Sequence, residues 1–263
     1  MSDPLLPIAN ALRSARRVAV LTGAGISAES GLRTFRGSGT PDLPPDMQSL
    51  WKEFDPLTLA TPQAFAADPE TVTRWYDWRR LGCLAAEPNP GHLALVELEH
   101  ILESRGGSLT VLTQNVDRLH HRAGSRDIVE LHGSIIIWRC SRCGLETEPP
   151  AEPMQSFPPR SACCSEGRGA LLRPNVVWFG EALPADAIRK AAIAAESCDV
   201  FLSIGTSSVV YPAAGFIEHA SASGAKTIEI NPEATPLSRR VDWSIRAKNG
   251  DVLPEIVRRM SVM

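Results

Sequence analysis

The sequence predicts an α/β fold: a Rossmann-like parallel sheet with helices on both faces, plus a small cysteine-bearing module and a helical insertion. Three observations predict it. The apolar run Val18-Ala19-Val20-Leu21 feeds directly into Gly23-Ala24-Gly25-Ile26-Ser27-Ala28-Glu29-Ser30-Gly31, a strand opening through glycines onto a helix. The closing half alternates strand-like and helical runs, the βαβ pattern that builds a parallel sheet. Between these parts lies a stretch of different composition, about residues 136–172, with four of the six cysteines and the proline-rich segment Pro149 to Pro159.

Taken in order, the chain reads as a helix near Leu5–Ala15, a strand at 17–22, the glycine turn, and a Pro-, Gly- and Asp-rich loop near 37–48 able to fold over a ligand. Helices follow at 62–67, 69–85 and 91–104, the last opened by Asn89 as N-cap and Pro90 in its first turn. A strand at 108–112 leads into Gln114-Asn115-Val116-Asp117, a helix lies near 117–123, and a further strand ends at Leu131-His132. Strands near 199–204, 226–230 and 242–246 then alternate with helices near 185–197, 212–222 and 250–261. The domain reading is a Rossmann-like unit of 1–135 and 173–263, with a helical insertion at about 45–85, and a small module at 136–172. That module is too polar to make its own core, and metal stapling of the zinc-ribbon type is the physical alternative.

Composition narrows the function classes. The chain has 263 residues, 43% of them hydrophobic, enough for one sizeable core and an appended module. A net charge of −3 gives no broad footprint for nucleic acid or a membrane surface. No segment is apolar over the length of a membrane span, and Met1 to Asn10 lack the pattern of a signal peptide, so a cytoplasmic protein is expected. Six cysteines in a chain this long read as reduced thiols and metal ligands rather than as a disulfide framework. Composition leaves the oligomeric state open.

The glycine turn has the chemistry of a pyrophosphate cradle. Gly23 permits a tight turn, Gly25 lets the backbone approach a phosphate, Ala28 keeps the helix near the sheet, and the helix N-terminus offers free N–H groups. A dinucleotide dehydrogenase would continue to a second strand and, about 20 residues on, an acidic residue for the ribose. That strand is missing there. A later one, Lys226 to Ile230, ends in Asn231-Pro232-Glu233 and could supply the ribose contact from a different place in the order. Gly23–Ser27, Gln114–Asp117, His132, Gly205-Thr206-Ser207 and Asn231 all follow predicted strands, so they converge on one face of the sheet. Of the six histidines, His132 follows a predicted strand; an imidazole titrating near neutrality can activate a hydroxyl, while a lone histidine is more often structural.

Several ordered motifs carry a resemblance: the glycine stretch at 23–31, Thr-Phe-Arg-Gly at 34–37, Thr-Gln-Asn-Val-Asp at 113–117, Leu-His-Gly-Ser at 131–134, Cys-x-x-Cys at 140–143, Arg-Pro-Asn-Val-Val-Trp-Phe-Gly-Glu at 173–181, Gly-Thr-Ser at 205–207 and Ile-Asn-Pro at 230–232. Together they resemble the Sir2 family of NAD-dependent protein deacylases, the sirtuins, over nearly the whole chain. The resemblance implies NAD as co-substrate and acylated-lysine proteins or peptides as partners, with release of nicotinamide and O-acyl-ADP-ribose. It implies His132 as the base for a ribose hydroxyl, Asn115 orienting ribose and water, and Asp117 with Ser27 holding the nicotinamide carboxamide. Phe35 would shield the reactive face and Arg36 would help close the loop. Thr34, Ala24, Val116 and Asn249 join the implied NAD contacts, while Val177-Trp178-Phe179-Gly180 would line the peptide groove. Glu29 is ambiguous, since a carboxylate in a first helical turn also favours the dipole.

Tyr76 and Arg79 are i and i+3 on a predicted helix, so a hydroxyl and a guanidinium share one face. From the pattern alone that helix is amphipathic, with Trp75 and Trp78 toward the core and Arg80 in water. The Tyr-x-x-Arg arrangement also resembles the sirtuin subgroup that removes acidic acyl groups, which implies succinyl-, malonyl- or glutaryl-lysine as substrates, with acetyl-lysine beside them. Arg binds a carboxylate bidentately, and Tyr adds one hydrogen bond.

The metal module departs from the family pattern. Cys140 and Cys143 make a good zinc half-site, but Arg168 stands where the resemblance places a fourth cysteine, while Cys163 and Cys164 sit upstream and adjacent. Both coordinate, or one coordinates beside another ligand, or the site is empty; one structural Zn2+ per chain is the expectation. Cys83 and Cys198 read as small buried apolar residues. Two other readings of the same cofactor site are mono-ADP-ribosyl transfer or NAD hydrolysis, and a non-catalytic module that senses NAD or ADP-ribose.

Overall fold

The computed structural model describes residues 3–32, 56–164 and 169–261. Six short apolar runs become the strands β1 (Arg17–Thr22), β2 (Ser108–Thr113), β3 (Ile128–Glu130), β8 (Val200–Ile204), β9 (Lys226–Ile230) and β10 (Trp243–Ile245), joined in one sheet in the order β10-β9-β8-β1-β2-β3. Every pairing is parallel. Counted along the chain, this is the doubly wound order, whose crevice opens between β1 and β8 where the winding reverses. Register aligns the strand ends: Thr22 lies opposite Thr113 on one side and Ile204 on the other, and Ile204 lies opposite Ile230.

Central strands of a parallel sheet are covered on both faces, which is why β1 and β8 are apolar nearly throughout. Side chains alternate between the two cores. Val18 and Val20 pack under the helices Leu6–Ser14, Pro90–Glu103 and Asn249–Ser261, whereas Ala19 and Leu21 pack under Ala185–Ser197 and Phe216–Ala222. The Pro90–Glu103 helix starts as expected, Asn89 accepting from Gly91 N while His92 Nδ1 accepts from Asn89 N. Cys83 and Cys198 are both buried, as read from the sequence.

The small module is built on an antiparallel sheet, ordered β5-β4-β7-β6, of β4 (Gly133–Cys140), β5 (Glu146–Thr147), β6 (Arg160–Ser161) and β7 (Ala170–Val176). Its long strands begin at Gly133 and end at Val176, reaching past 136 and 172 into the large domain. The crossing depends on Gly133, at φ 74°, where a Cβ would stand 2.1 Å from Asn175 O. Against the long strands of this sheet, the helices Pro62–Ala67 and Pro69–Ala85 join Ile135, Trp138, Val176 and Trp178 in a third core.

Arg80 corrects the sequence reading. Expected in water, it is fully buried in an ion pair with Asp77, because its remaining donors meet backbone carbonyls of Pro150 and Glu152. Among the described residues, no helix is long and apolar enough to cross a membrane.

Candidate active site

The turn after β1 is packed against the turn after β8. Gly23 N donates to Ile204 O at 3.0 Å and Gly25 N to Gly205 O at 2.7 Å. A Cβ on Gly25 would lie 2.6 Å from Gly205 O, so the glycine is needed for this contact. That contact holds the turn to the sheet, the role expected of Ala28; Ala28 itself is exposed at the end of the five-residue helix Ala24–Ala28.

Glu29, which the sequence left ambiguous, has a structural bond. Its carboxylate accepts from Asn249 N at 2.8 Å and Gly250 N at 3.2 Å, at the start of the Asn249–Ser261 helix. Asn249 is fully buried beside it, and its side-chain amide has no hydrogen-bond partner among the described residues.

At the ends of β1 and β2, polar side chains replace apolar ones. Thr22 Oγ1 donates to Thr113 Oγ1 at 2.9 Å, and Thr113 Oγ1 accepts from Asn115 N at 3.0 Å. Asn115 Nδ2 then donates to Gly23 O at 3.1 Å and Ser27 Oγ at 3.0 Å, so its amide is fixed against the glycine turn. Gln114 Nε2 reaches Thr206 Oγ1 at 3.1 Å, tying β2 to the loop after β8. Ser207 beside it is exposed, and Asn231 Nδ2 donates to Glu233 O at 2.8 Å across Pro232, forming a turn at the end of β9.

His132 sits where the chain passes from β3 to β4. Its Nδ1 lies 2.9 Å from Gln114 O, and because a carbonyl only accepts, Nδ1 carries the proton and Nε2 is left able to accept one. Burial holds its pKa below the ordinary histidine value, partly opposed by that same hydrogen bond. The His132 carbonyl accepts from Val177 N at 2.9 Å. Asp117 is buried, accepts from Leu119 N at 2.9 Å, and has its pKa raised by that burial against the pull of Ser27 and Arg79. Val116 leans on the third core while its carbonyl accepts from Ile135 N.

The segment after β7 is a rigid turn. Phe179 N donates to Ala60 O at 2.9 Å, Gly180 takes a φ of 86°, and Trp178 is buried while Phe179 is exposed. Arg173 and Glu181 hold the turn with a bidentate pair at 2.7 and 2.9 Å, and Trp178 N donates to the same carboxylate. The arginine also lies 3.4 Å over the Trp178 ring. Sequence reasoning missed this pair, whose only signal is opposite charges bracketing the Pro-Asn-Val-Val-Trp-Phe-Gly run.

Tyr76 stands against Trp178, ring centroids 6.2 Å apart, with its hydroxyl buried and without a partner among the described residues. Burial pushes that hydroxyl up to about 12, so it stays a donor. The Arg79 guanidinium stacks 4.7 Å over Trp75 and lies 5.8 Å from the Tyr76 ring, and its charge lowers the pKa of Asp117. Thr34, Phe35, Arg36 and the loop near 37–48 lie outside the described residues.

The family model described as "Sir2 family" matches residues 23–212, a span that contains the turns after β1, β2 and β8, His132 and the whole small module. The chain belongs to the Sir2 family. A protein named NAD-dependent protein deacylase 2 from Pyrobaculum aerophilum is 47% identical over 253 residues, covering 96% of this chain and 94% of its own. The NAD-dependent protein deacylase of Thermus thermophilus is 49% identical over 235 residues, covering 89% and 87%. Among solved structures, a Sir2 homolog–NAD complex is 42% identical with a TM-score of 0.86, covering 97% of this chain and 93% of that one. A structure titled Sir2 bound to acetylated peptide is 29% identical, with a TM-score of 0.81 and 100% coverage of both chains.

The Sir2-family module brings all four of its cysteines together. Their sulfurs lie within 4.8 Å of one another, Cys143 and Cys163 at 3.4 Å, Cys140 and Cys164 at 3.8 Å. Tetrahedral zinc with sulfur at about 2.3 Å places its ligands about 3.8 Å apart, so the set fits one zinc ion with both adjacent cysteines as ligands. Amides of Cys143 and Arg142 pull the Cys140 thiol down, while the crowding of sulfurs pushes Cys163 and Cys164 up, so Cys140 is a thiol that ionises readily within the set. Arg168 lies outside the described residues, and the set does not need it.

Proposed function

We propose that this Sir2-family enzyme is an NAD-dependent protein-lysine deacylase that prefers acidic acyl groups, succinyl, malonyl or glutaryl, over acetyl. NAD-dependent deacylation itself follows from the family and from relatives alike over nearly their whole length. The observation that carries the acyl preference is the pair Tyr76 and Arg79, a buried hydroxyl without a partner among the described residues next to a guanidinium, facing the third core beside Trp178. A carboxylate at the end of an acyl chain could accept from the Tyr76 hydroxyl and pair with the Arg79 charge; acetyl-lysine offers no carboxylate to either.

NAD supplies the ribosyl carbon and the leaving nicotinamide. The neutral His132 Nε2 takes a proton from a ribose hydroxyl, oriented by the Nδ1–H bond to Gln114 O. Asn115, fixed by Gly23 and Ser27, orients ribose and water, and Asp117 with Ser27 holds the carboxamide. Gly23, Ala24, Gly25, Gly205, Thr206, Ser207, Asn231, Pro232, Glu233, Gln114 and Asn249 border the cofactor crevice, and Val177 to Gly180 line the peptide groove. Zinc would hold the small module's fold through Cys140, Cys143, Cys163 and Cys164.

The test is a panel of acetyl-, succinyl-, malonyl- and glutaryl-lysine peptides with NAD, read by mass spectrometry. Acidic acyl peptides should be turned over most efficiently, with O-acyl-ADP-ribose as product. ADP-ribosylated protein or free ADP-ribose as the main product would replace deacylation by ADP-ribosyl transfer or NAD hydrolysis. No NAD consumption would leave a sensing module.

A further inference from the structure

The Pro69–Ala85 helix carries Tyr76 and Arg79, and the residue after each, Asp77 and Arg80, forms an ion pair with water excluded. Arg80 Nη2 lies 2.6 Å from Asp77 Oδ1, the side chains 1% and 4% exposed. Two charges in so dry a place are costly unless the remaining donors and acceptors are used. Here they are used on the small module. Arg80 Nη1 donates to Pro150 O at 2.6 Å and Nη2 to Glu152 O at 2.8 Å, while Asp77 Oδ2 accepts from Met154 N at 3.0 Å.

One ion pair therefore grips alternate residues of the strap between β5 and β6, the stretch that precedes Cys163 and Cys164. Met154 packs into the third core, and one turn earlier on the helix Arg74 lies 4.8 Å over the Phe157 ring. From Arg74 to Arg80 the helix is docked on the module over about 9 Å of its length. A hydrophobic pair would bury the helix as well. Only groups bonded to three backbone atoms of the strap also fix its rotation about its own axis, and rotation decides where Tyr76 and Arg79 point.

We propose that Asp77 and Arg80 are positioning residues for acyl selection, clamping the helix to the small module so that Tyr76 and Arg79 meet the acyl end. The inference rests on the acyl reading of Tyr76 and Arg79. Removing one partner would strand a buried charge, so the test replaces both, Asp77→Leu with Arg80→Met, which retains apolar volume. Beside it stand Arg80→Lys, which keeps the charge but lacks the planar fork, and Arg79→Met.

The measurements are kcat/KM for succinyl and acetyl peptides, KM for NAD, zinc content, and amide exchange at 150–156. The double variant should speed exchange in the strap and lower the succinyl-to-acetyl ratio by about tenfold or more, with KM for NAD and zinc content within about twofold of wild type. Arg80→Lys should fall between the two. A folded, zinc-retaining double variant with an unchanged ratio overturns the proposal; should it fail to fold, an unchanged ratio in Arg80→Lys does the same. If Arg79→Met changes the ratio and the clamp variants do not, the positioning role falls and the acyl reading stands. If Arg79→Met leaves the ratio unchanged, the acyl reading falls and takes the clamp with it.

Discussion

Arg79→Met keeps the length and much of the apolar stem of the side chain while removing its charge, so the stacking on Trp75 at 4.7 Å has a substitute and the carboxylate contact has none. The magnitude follows from the surroundings. Tyr76 is fully buried, with its hydroxyl pushed up to about 12, so it is a neutral donor at all working pH values and cannot replace the lost charge. Hydrogen bonds to charged groups away from bulk water contribute about 1.5–3 kcal/mol each, and a bidentate pair on a half-buried arginine about 2–4 kcal/mol in total. At about 1.4 kcal/mol per decade, kcat/KM for succinyl peptide should fall about 30- to 1000-fold. Acetyl peptide has no carboxylate and should stay within about threefold of wild type. Tyr76→Phe should cost succinyl turnover about tenfold, the low end for a single hydrogen bond to a charged acceptor. The assay is kcat/KM for both peptides at saturating NAD, expressed as a ratio. A succinyl-to-acetyl ratio that does not move in Arg79→Met would reduce the pair to a helix face and make the enzyme a general deacetylase.

His132→Ala should remove deacylation while calorimetry still shows NAD binding; in wild type the rising limb of kcat/KM should have its midpoint below about 6.5, because burial lowers the His132 pKa, and a midpoint above that value would count against His132 as the base. Cys140→Ser should lower zinc from about one per chain and Tm on the order of 5–10 °C, whereas purified wild-type protein without zinc by elemental analysis would mean the module is held by packing alone. His92 and His120 are buried, with pKa values lowered to about 4 and about 3. Since the unfolded chain protonates them near 6.5, their contribution is complete above that pH and is lost as pH falls toward the folded values, by about 2 kcal/mol per histidine at pH 5. Urea midpoints measured from pH 7 to 5 should show the drop, and His120→Asn should flatten it; an unchanged slope would mean that His120 is solvated.

The fold was legible because its signals are local. Apolar runs of strand length, the Asn89-Pro90 helix start and the Gly23–Gly31 turn are each written within a few residues, and register then sets Thr22, Thr113, Ile204 and Ile230 side by side. Convergence of the predicted loops followed from topology alone. Illegible were the contacts made across great separations. Nothing near Arg80 announces that carbonyls at 150 and 152 will receive it, so an arginine at a helical position reads as solvated. Glu29 shows the same difficulty, its partners lying at 249 and 250, while Ala28 lost its expected role because Gly25 already fills the contact with Gly205. Adjacent Cys163 and Cys164 broke the usual ligand spacing, and only the turn that carries them brings both sulfurs toward Cys140 and Cys143.

The bond from Glu29 to the amides of 249 and 250 has a consequence for synthesis. Its two ends are separated by 220 residues, and Arg13 reaches Arg259 O and Met260 O across 246 and 247. The glycine turn therefore emerges about 220 residues before the helix that ties it down. Contacts of such separation are slow to close, and the β1 edge and its apolar faces wait uncovered in the meantime. A turn encoded near residue 25 is thus fixed in place only once residue 249 has joined the chain.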